Sequence, residues 1–89
     1  MGFYVYIIQS RVDTSYYKGF SEHPNLRIIQ HNNAECYYTS TKMPWILVYV
    51  EELPTKKDAL IREKTLKKYS HNQIGKLIVS NKNIVQQFL

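Results

Sequence analysis

Cysteine, acidic residues and long apolar runs are all scarce in this chain. Cys36 is the one cysteine in 89 residues, which excludes an intrachain disulfide and a thiolate zinc cluster and fits a reducing, cytoplasmic setting. A free cysteine is more often a small filler than a nucleophile, and nothing beside Cys36 in the sequence activates it. No apolar stretch approaches the ~20 residues a membrane helix needs, so no membrane partner is expected. The run from Gly2 to Ile8 turns polar at Gln9 with no basic segment or cleavage site, so no secretory leader is expected. Low-complexity tracts and repeats are missing as well. Acidic side chains number 7 against 12 lysines and arginines, for a net charge of +5. That balance is compatible with nucleic acid bound in a salt-sensitive way, although charge alone decides little.

What is present reads as one domain over residues 1–89. A chain of this size buries roughly 60–65% of its extended surface, enough for one modest core. Phe3 to Gln9 is aromatic and β-branched, which predicts a strand. Asp13-Thr14-Ser15 is a turn signal, and Tyr16 to Phe20 reads as a second strand, antiparallel to the first. Alternation puts Tyr4, Tyr6 and Ile8 on one face of the first strand and Phe3, Val5 and Ile7 on the other. Both faces are therefore covered, as in a central strand. Pro24 opens a helix, with His23 or Ser21 as its cap, that runs to Asn32 or Asn33. Residues 34–45 read as a loop, Ile46 to Glu51 as a third strand, and Thr55 as the start of a helix reaching Lys68 or Tyr69. Ser70 and Gln73 form a capping box for another helix ending near Val79, and Ser80 is placed to cap a last short one. The fold class is α/β: a small three-stranded antiparallel or mixed sheet flanked by helices, in the order β-β-α-β-α-α.

Three sets of residues stand out. On a helical wheel with Ala59 at 0°, Glu63 falls at about 40° and Leu66 at about 340°. A carboxylate inside an apolar stripe is costly unless it is paired or holds a cation; pairing with Arg62 or a nearby lysine is the structural alternative. Arg27 and His31, four apart, share a helix side that reads as opposite to Leu26, Ile28 and Ile29. They are either solvent-side polar residues or a site. The tyrosines of the first strand are either packing or chemistry.

Tyr4-Val5-Tyr6, Tyr17-Lys18-Gly19, Arg27, His31-Asn32, Pro44-Trp45 and Arg62-Glu63-Lys64, in this order and spacing, resemble the GIY-YIG nuclease superfamily. The likeness is to its small single-domain branch related to the N-terminal domain of excinuclease C, over residues 2 to about 77. The resemblance implies a metal-dependent DNA endonuclease, with DNA repair as its expected setting. Tyr6, Tyr17, Arg27, His31 and Glu63 match the family's catalytic positions, with Glu63 as ligand to one Mg²⁺ or Mn²⁺. Tyr4 stands where the family name has glycine, and Lys18 where isoleucine is usual. A late asparagine of some members has Asn72 as its candidate counterpart.

Under this reading Arg27 clamps phosphate oxygens. Tyr17 takes the direct role and Tyr6 supports it by hydrogen bond, while His31 orients water, donates to phosphate or serves as base. Lys18, Lys42, Lys56, Lys57, Lys64, Lys67 and Lys68 are candidate nucleic-acid contacts. Tyr37 and Tyr38 offer stacking surfaces for unpaired bases, whereas Trp45 is expected to anchor its loop. Binding is expected to be weak and directed by DNA structure. The alternatives are a noncatalytic nucleic-acid-binding domain and a protein-interaction module. The nuclease reading requires all five catalytic candidates to meet at one cleft, with Glu63 on the same side of the sheet as Arg27.

Overall fold

The computed structural model describes residues 2–89. Its elements are β1 (Phe3–Ser10), β2 (Tyr16–Ser21), α1 (Pro24–Asn32), α2 (Tyr37–Ser40), β3 (Trp45–Leu53), α3 (Lys56–Leu66), α4 (His71–Ile78) and a closing 3₁₀ turn, Val85–Phe88. The sheet is antiparallel throughout, in the order β2-β1-β3. The expected succession of elements holds. The stretch expected as a loop contains the short helix α2. The last turn begins at Val85, well past Ser80.

Strand alternation divides the interior in two. Val5 and Ile7 join Tyr49, Ala59, Leu66, Ile74 and Leu77 in the core that α3 and α4 cover. Tyr6 and Ile8 join Trp45, Leu47, Val50 and Val85 in the core that α1 and the 3₁₀ turn cover. Each fully buried large apolar side chain contributes roughly 1.5–3 kcal/mol, so β1, buried on both faces from Val5 to Ile8, serves both cores at once. In β3 the alternation breaks. Ile8 pairs with Leu47 and Ile7 with Tyr49, leaving Val48 as the extra residue of a bulge. Leu47 and Val50 consequently share a core, while Tyr49 belongs to the other.

Local hydrogen bonds set the helix ends. Thr55 Oγ1 accepts the Asp58 N–H at 3.1 Å. Ser70 and Gln73 exchange bonds of 3.2 and 2.7 Å, completing the expected capping box. At the start of α1, His23 makes no side-chain cap; Ser21 Oγ accepts the His23 N–H instead, at 2.9 Å, and Pro24 opens the helix. Asn32, expected only to stop that helix, does more. Its Oδ1 accepts the Trp45 N–H at 2.6 Å and its Nδ2 donates to the Trp45 carbonyl at 2.9 Å, fastening α1 to the start of β3. This bond explains why β3 begins at Trp45, one residue before the expected Ile46.

Gly19 faces Tyr6 across the β1–β2 ladder. A Cβ built there would lie 2.5 Å from the Tyr6 ring carbon and hydroxyl. The second strand therefore carries a glycine for a steric reason: a buried ring lies flat against its backbone. Gly19→Ala is expected to lower unfolding stability by roughly 1–3 kcal/mol, read as a reduced urea midpoint with an unchanged slope.

Candidate active site

Tyr6 projects from the central strand into the α1-side core, where its hydroxyl lies 2.9 Å from His31 Nε2. The other ring nitrogen, Nδ1, lies 2.8 Å from Thr39 Oγ1. Tyr6, His31 and Thr39 are all buried. Arg27, one helical turn before His31, lies against the Tyr6 hydroxyl and donates from Nη1 to Gln30 Oε1 at 2.9 Å. Tyr17, on the edge strand β2, packs its ring 5.1 Å from that of His31. Four of the five catalytic candidates therefore converge on one side of the sheet.

This arrangement corrects the reading of α1. Arg27 and His31 do not occupy its solvent side; they turn toward the sheet, while Leu26 and Ile29 are 49% and 55% exposed. Hydrogen bonding explains the inversion, because His31 and Arg27 find partners in Tyr6, Thr39 and Gln30 that make inward burial tolerable. The surroundings of His31 favour a holding role over a direct one. Its ring is buried and both nitrogens are engaged, so it holds Tyr6 and does not meet water or phosphate.

Glu63 departs from the expected geometry. It sits on α3, which packs on the opposite face of the sheet from α1. Its carboxylate pairs with Lys67 at 3.7 Å, whereas Arg62 pairs with Glu51 at 3.1 Å. The requirement that Glu63 share a side of the sheet with Arg27 is thus not met, and a nuclease reading has to rest instead on the weaker condition that Glu63 reaches the same sheet edge as Tyr17. The sheet is narrow, however, and β2 is its free edge. At that edge the Glu63 charge is close enough to push the Tyr17 hydroxyl pKa upward. The carboxylate belongs to the neighbourhood of Tyr17, and among the described residues it forms no hydrogen bond or ion pair with Tyr6, Arg27 or His31.

Burial and charge set the protonation states. Burial raises the Tyr6 hydroxyl pKa to about 12, although Arg27 pulls the other way. Burial also raises that of Tyr17, with Cys36 adding to the rise and Arg27 opposing it. Burial, then the Arg27 charge, lowers His31 to about 4, so the imidazole is neutral at physiological pH. Burial works against the Arg27 charge, but Tyr6 more than offsets it and the guanidinium pKa rises.

The lysines divide by location. Lys18 points to the α3 side of β2, where burial and then Lys67 lower its pKa. With Tyr16, Tyr17, Tyr38 and Lys67 it lines a hollow of about 500 Å³ beside the cluster. Lys56, Lys57, Lys64 and Lys67 line a larger one of about 600 Å³ on the outer face of α3, with Leu60, Ile61 and Glu63, and Lys68 is exposed beyond it. Lys42 stands apart, paired with Asp13 at 3.1 Å in the β1–β2 turn. Trp45 is buried and donates from Nε1 to the Thr39 carbonyl at 2.9 Å, which is an anchoring role. Tyr37 and Tyr38 are 92% and 77% exposed. Asn72 is exposed on the first turn of α4. Thr39, which touches His31, and Cys36, which lies near Tyr6, Tyr17 and Arg27, carried no sequence signal for these positions.

Residues 2–76 match the family model for the GIY-YIG catalytic domain. A UPF0213 protein of Staphylococcus epidermidis is 41% identical over 76 residues, covering 84% of this chain and 92% of that one. A UPF0213 protein of Staphylococcus haemolyticus is 38% identical with the same coverage. The solution NMR structure of a UPF0213 protein from Bacillus halodurans superposes with a TM-score of 0.58 at 28% identity, covering 97% of this chain and 92% of that one. The tyrosine-lined, arginine-bearing edge of this three-stranded sheet is thus a GIY-YIG fold, and the chain belongs to the GIY-YIG catalytic-domain family. Within that family it is similar to the UPF0213 proteins.

The His31 environment generates a pH signature. The pKa of His31 is lowered in the folded state, so the unfolded chain binds the extra proton between about pH 6.5 and 4. The stability that neutral His31 contributes is complete above pH 6.5 and is lost as the pH falls toward 4. Over that interval wild type is expected to lose roughly 1–3 kcal/mol that a His31→Gln variant does not. Urea unfolding at pH 7, 6, 5 and 4 measures the difference.

Proposed function

We propose that this chain is a divalent-metal-dependent endonuclease that hydrolyses DNA phosphodiester bonds. One observation carries the reading: a buried His31–Tyr6 pair, neutral at working pH, stands directly behind a cationic Arg27 and a more open Tyr17. Such a pair has no need of the arginine for packing. It fixes a planar donor fork beside a hydroxyl, which is how a phosphate is gripped and approached.

The roles follow from exposure. Tyr6 is too buried to meet water, so it positions Arg27. Arg27 binds the non-bridging phosphate oxygens as charge accumulates on them. Tyr17, half-buried at the strand edge, is the hydroxyl available to the attacking water. Its raised pKa means that it needs nearby positive charge to act as a base, from Arg27 or a bound cation.

Among the described residues there is no group of three or more His, Cys, Asp or Glu side chains that could hold a metal. The donor present is one partly exposed carboxylate, Glu63. A single hard oxygen donor suits Mg²⁺ or Mn²⁺, ions that retain most of their water and share substrate oxygens. Glu63 would hold the ion in place of its present partner Lys67. The ion, when bound, supplies charge that stabilises the departing or attacking oxygen. DNA is the partner that fits the lysines of α3, and the exposed Tyr37 and Tyr38 favour substrates with unpaired bases. Repair and a cytoplasmic location accord with this reading.

The second reading is a noncatalytic nucleic-acid-binding domain. Its supporting observation is the position of Glu63, in the opposite layer and already paired with Lys67. Two variants separate the readings on a panel of single-stranded, branched and duplex DNA with Mg²⁺ or Mn²⁺. Arg27→Ala is expected to reduce single-turnover cleavage by roughly 100-fold or more, with little rescue by Arg27→Lys. Glu63→Gln is expected to abolish metal-dependent cleavage while metal-free DNA binding persists or tightens. Its melting temperature is expected to stay near that of wild type, since an exposed i,i+4 pair contributes little. Wild-type binding without cleavage of any substrate supports the binder. A Glu63→Gln protein that still cuts defeats the metal-ligand assignment.

A further inference from the structure

Thr39 has no role in the reading above, yet it makes the one polar contact to the far side of His31. Its hydroxyl has two neighbours besides solvent-free packing: His31 Nδ1 at 2.8 Å and the Cys36 carbonyl at 3.3 Å. A carbonyl only accepts, so the Thr39 proton goes to Cys36. The Oγ1 lone pair then faces Nδ1, which must carry hydrogen. Nε2 is left bare, and the group 2.9 Å from it, the Tyr6 hydroxyl, must donate to it. The Arg27 guanidinium lies beside the Tyr6 oxygen, whose lone pairs are left to face it.

The reverse arrangement fails. If Nε2 carried the hydrogen, the Tyr6 oxygen would face two donors, His31 and Arg27, and its own proton would have no acceptor. A buried hydroxyl without an acceptor costs roughly 1–3 kcal/mol, and among the described residues no buried side-chain nitrogen or oxygen lacks a partner.

We infer that Thr39 is a positioning residue that fixes His31 in its Nδ1–H tautomer, and through His31 and Tyr6 sets the direction of the Arg27 guanidinium. The hydrogen bonds run one way, from Tyr6 through His31 and Thr39 to the Cys36 carbonyl, and leave the Tyr6 oxygen lone pairs turned to the neighbouring Arg27. Two further bonds hold Thr39 in place: its N–H donates to the Cys36 carbonyl at 3.2 Å, and its own carbonyl accepts from Trp45 Nε1 at 2.9 Å. The short helix α2 is therefore the far anchor of the arginine clamp. This inference rests on the nuclease reading for its effect on cleavage, but not for the tautomer.

Long-range ¹H–¹⁵N correlation of the imidazole at pH 7 reports the tautomer of the whole protein directly. Wild type is expected to show Nδ1 protonated and Nε2 bare. Thr39→Ser keeps the acceptor and is expected to keep that pattern. Thr39→Val removes it and is expected to shift His31 to the Nε2–H form or a mixture. A wild-type Nε2–H signature overturns the proposal without any variant, so a Thr39→Val protein that fails to fold does not shield it. An unchanged tautomer in folded Thr39→Val overturns it equally. Cleavage by Thr39→Val is expected to fall by roughly 10- to 100-fold in kcat, with KM changed little, and Thr39→Ser is expected to restore most of it. If both variants cut as wild type does, the link to Arg27 is wrong. If wild type shows the Nδ1–H tautomer but cuts nothing, the nuclease reading fails and the tautomer assignment stands.

Discussion

The buried hydrogen bond between Tyr6 and His31 is the constraint around which the site is arranged. It joins the central strand to α1, brings polar groups into a core otherwise made of apolar side chains, and dictates the orientation of both. Because neither group can be left unpaired at that depth, the histidine takes Thr39 as its second partner, and the Arg27 charge lies beside the tyrosine. Gly19 belongs to the same constraint, since only a residue without Cβ lets the Tyr6 ring lie where the histidine can reach it. A motif that looks in the sequence like scattered tyrosines and a glycine is one steric and hydrogen-bonded unit.

The same bond inverts the first helix. An amphipathic helix normally turns Leu26 and Ile29 inward. Here Leu26 and Ile29 stay exposed while His31 is fully buried with both ring nitrogens bonded. Ile28 still packs against the Tyr6 side of the sheet, so the apolar contribution is reduced and not lost.

The order of elements and the capping box at Ser70 were legible because they depend on residues near one another in sequence: alternation in β1, a turn at Asp13–Ser15, reciprocal bonds three residues apart. The layer of each helix was less so. Nothing local says that α3 packs on the Val5–Ile7 face while α1 packs on the Tyr6–Ile8 face, and this separates Glu63 from Arg27. The burial of His31 was hidden for a similar reason, since its partners are Tyr6, 25 residues earlier, and Thr39, in a segment that reads as loop. The bulge at Val48 was equally silent: an extra residue in a uniformly apolar strand leaves no trace in composition.

The division of labour between layers has a dynamic meaning. Tyr6 and the α1 face that carries Arg27 and His31 belong to one core, the helix that carries Glu63 to the other, and the sheet itself, β1 and β3 above all, is what the two share. Local opening of the α3 and α4 layer would displace the carboxylate while the arginine clamp stayed assembled. In the nuclease reading such a partly opened chain keeps its grip on phosphate but loses its metal. Under that reading, cleavage is more fragile than binding.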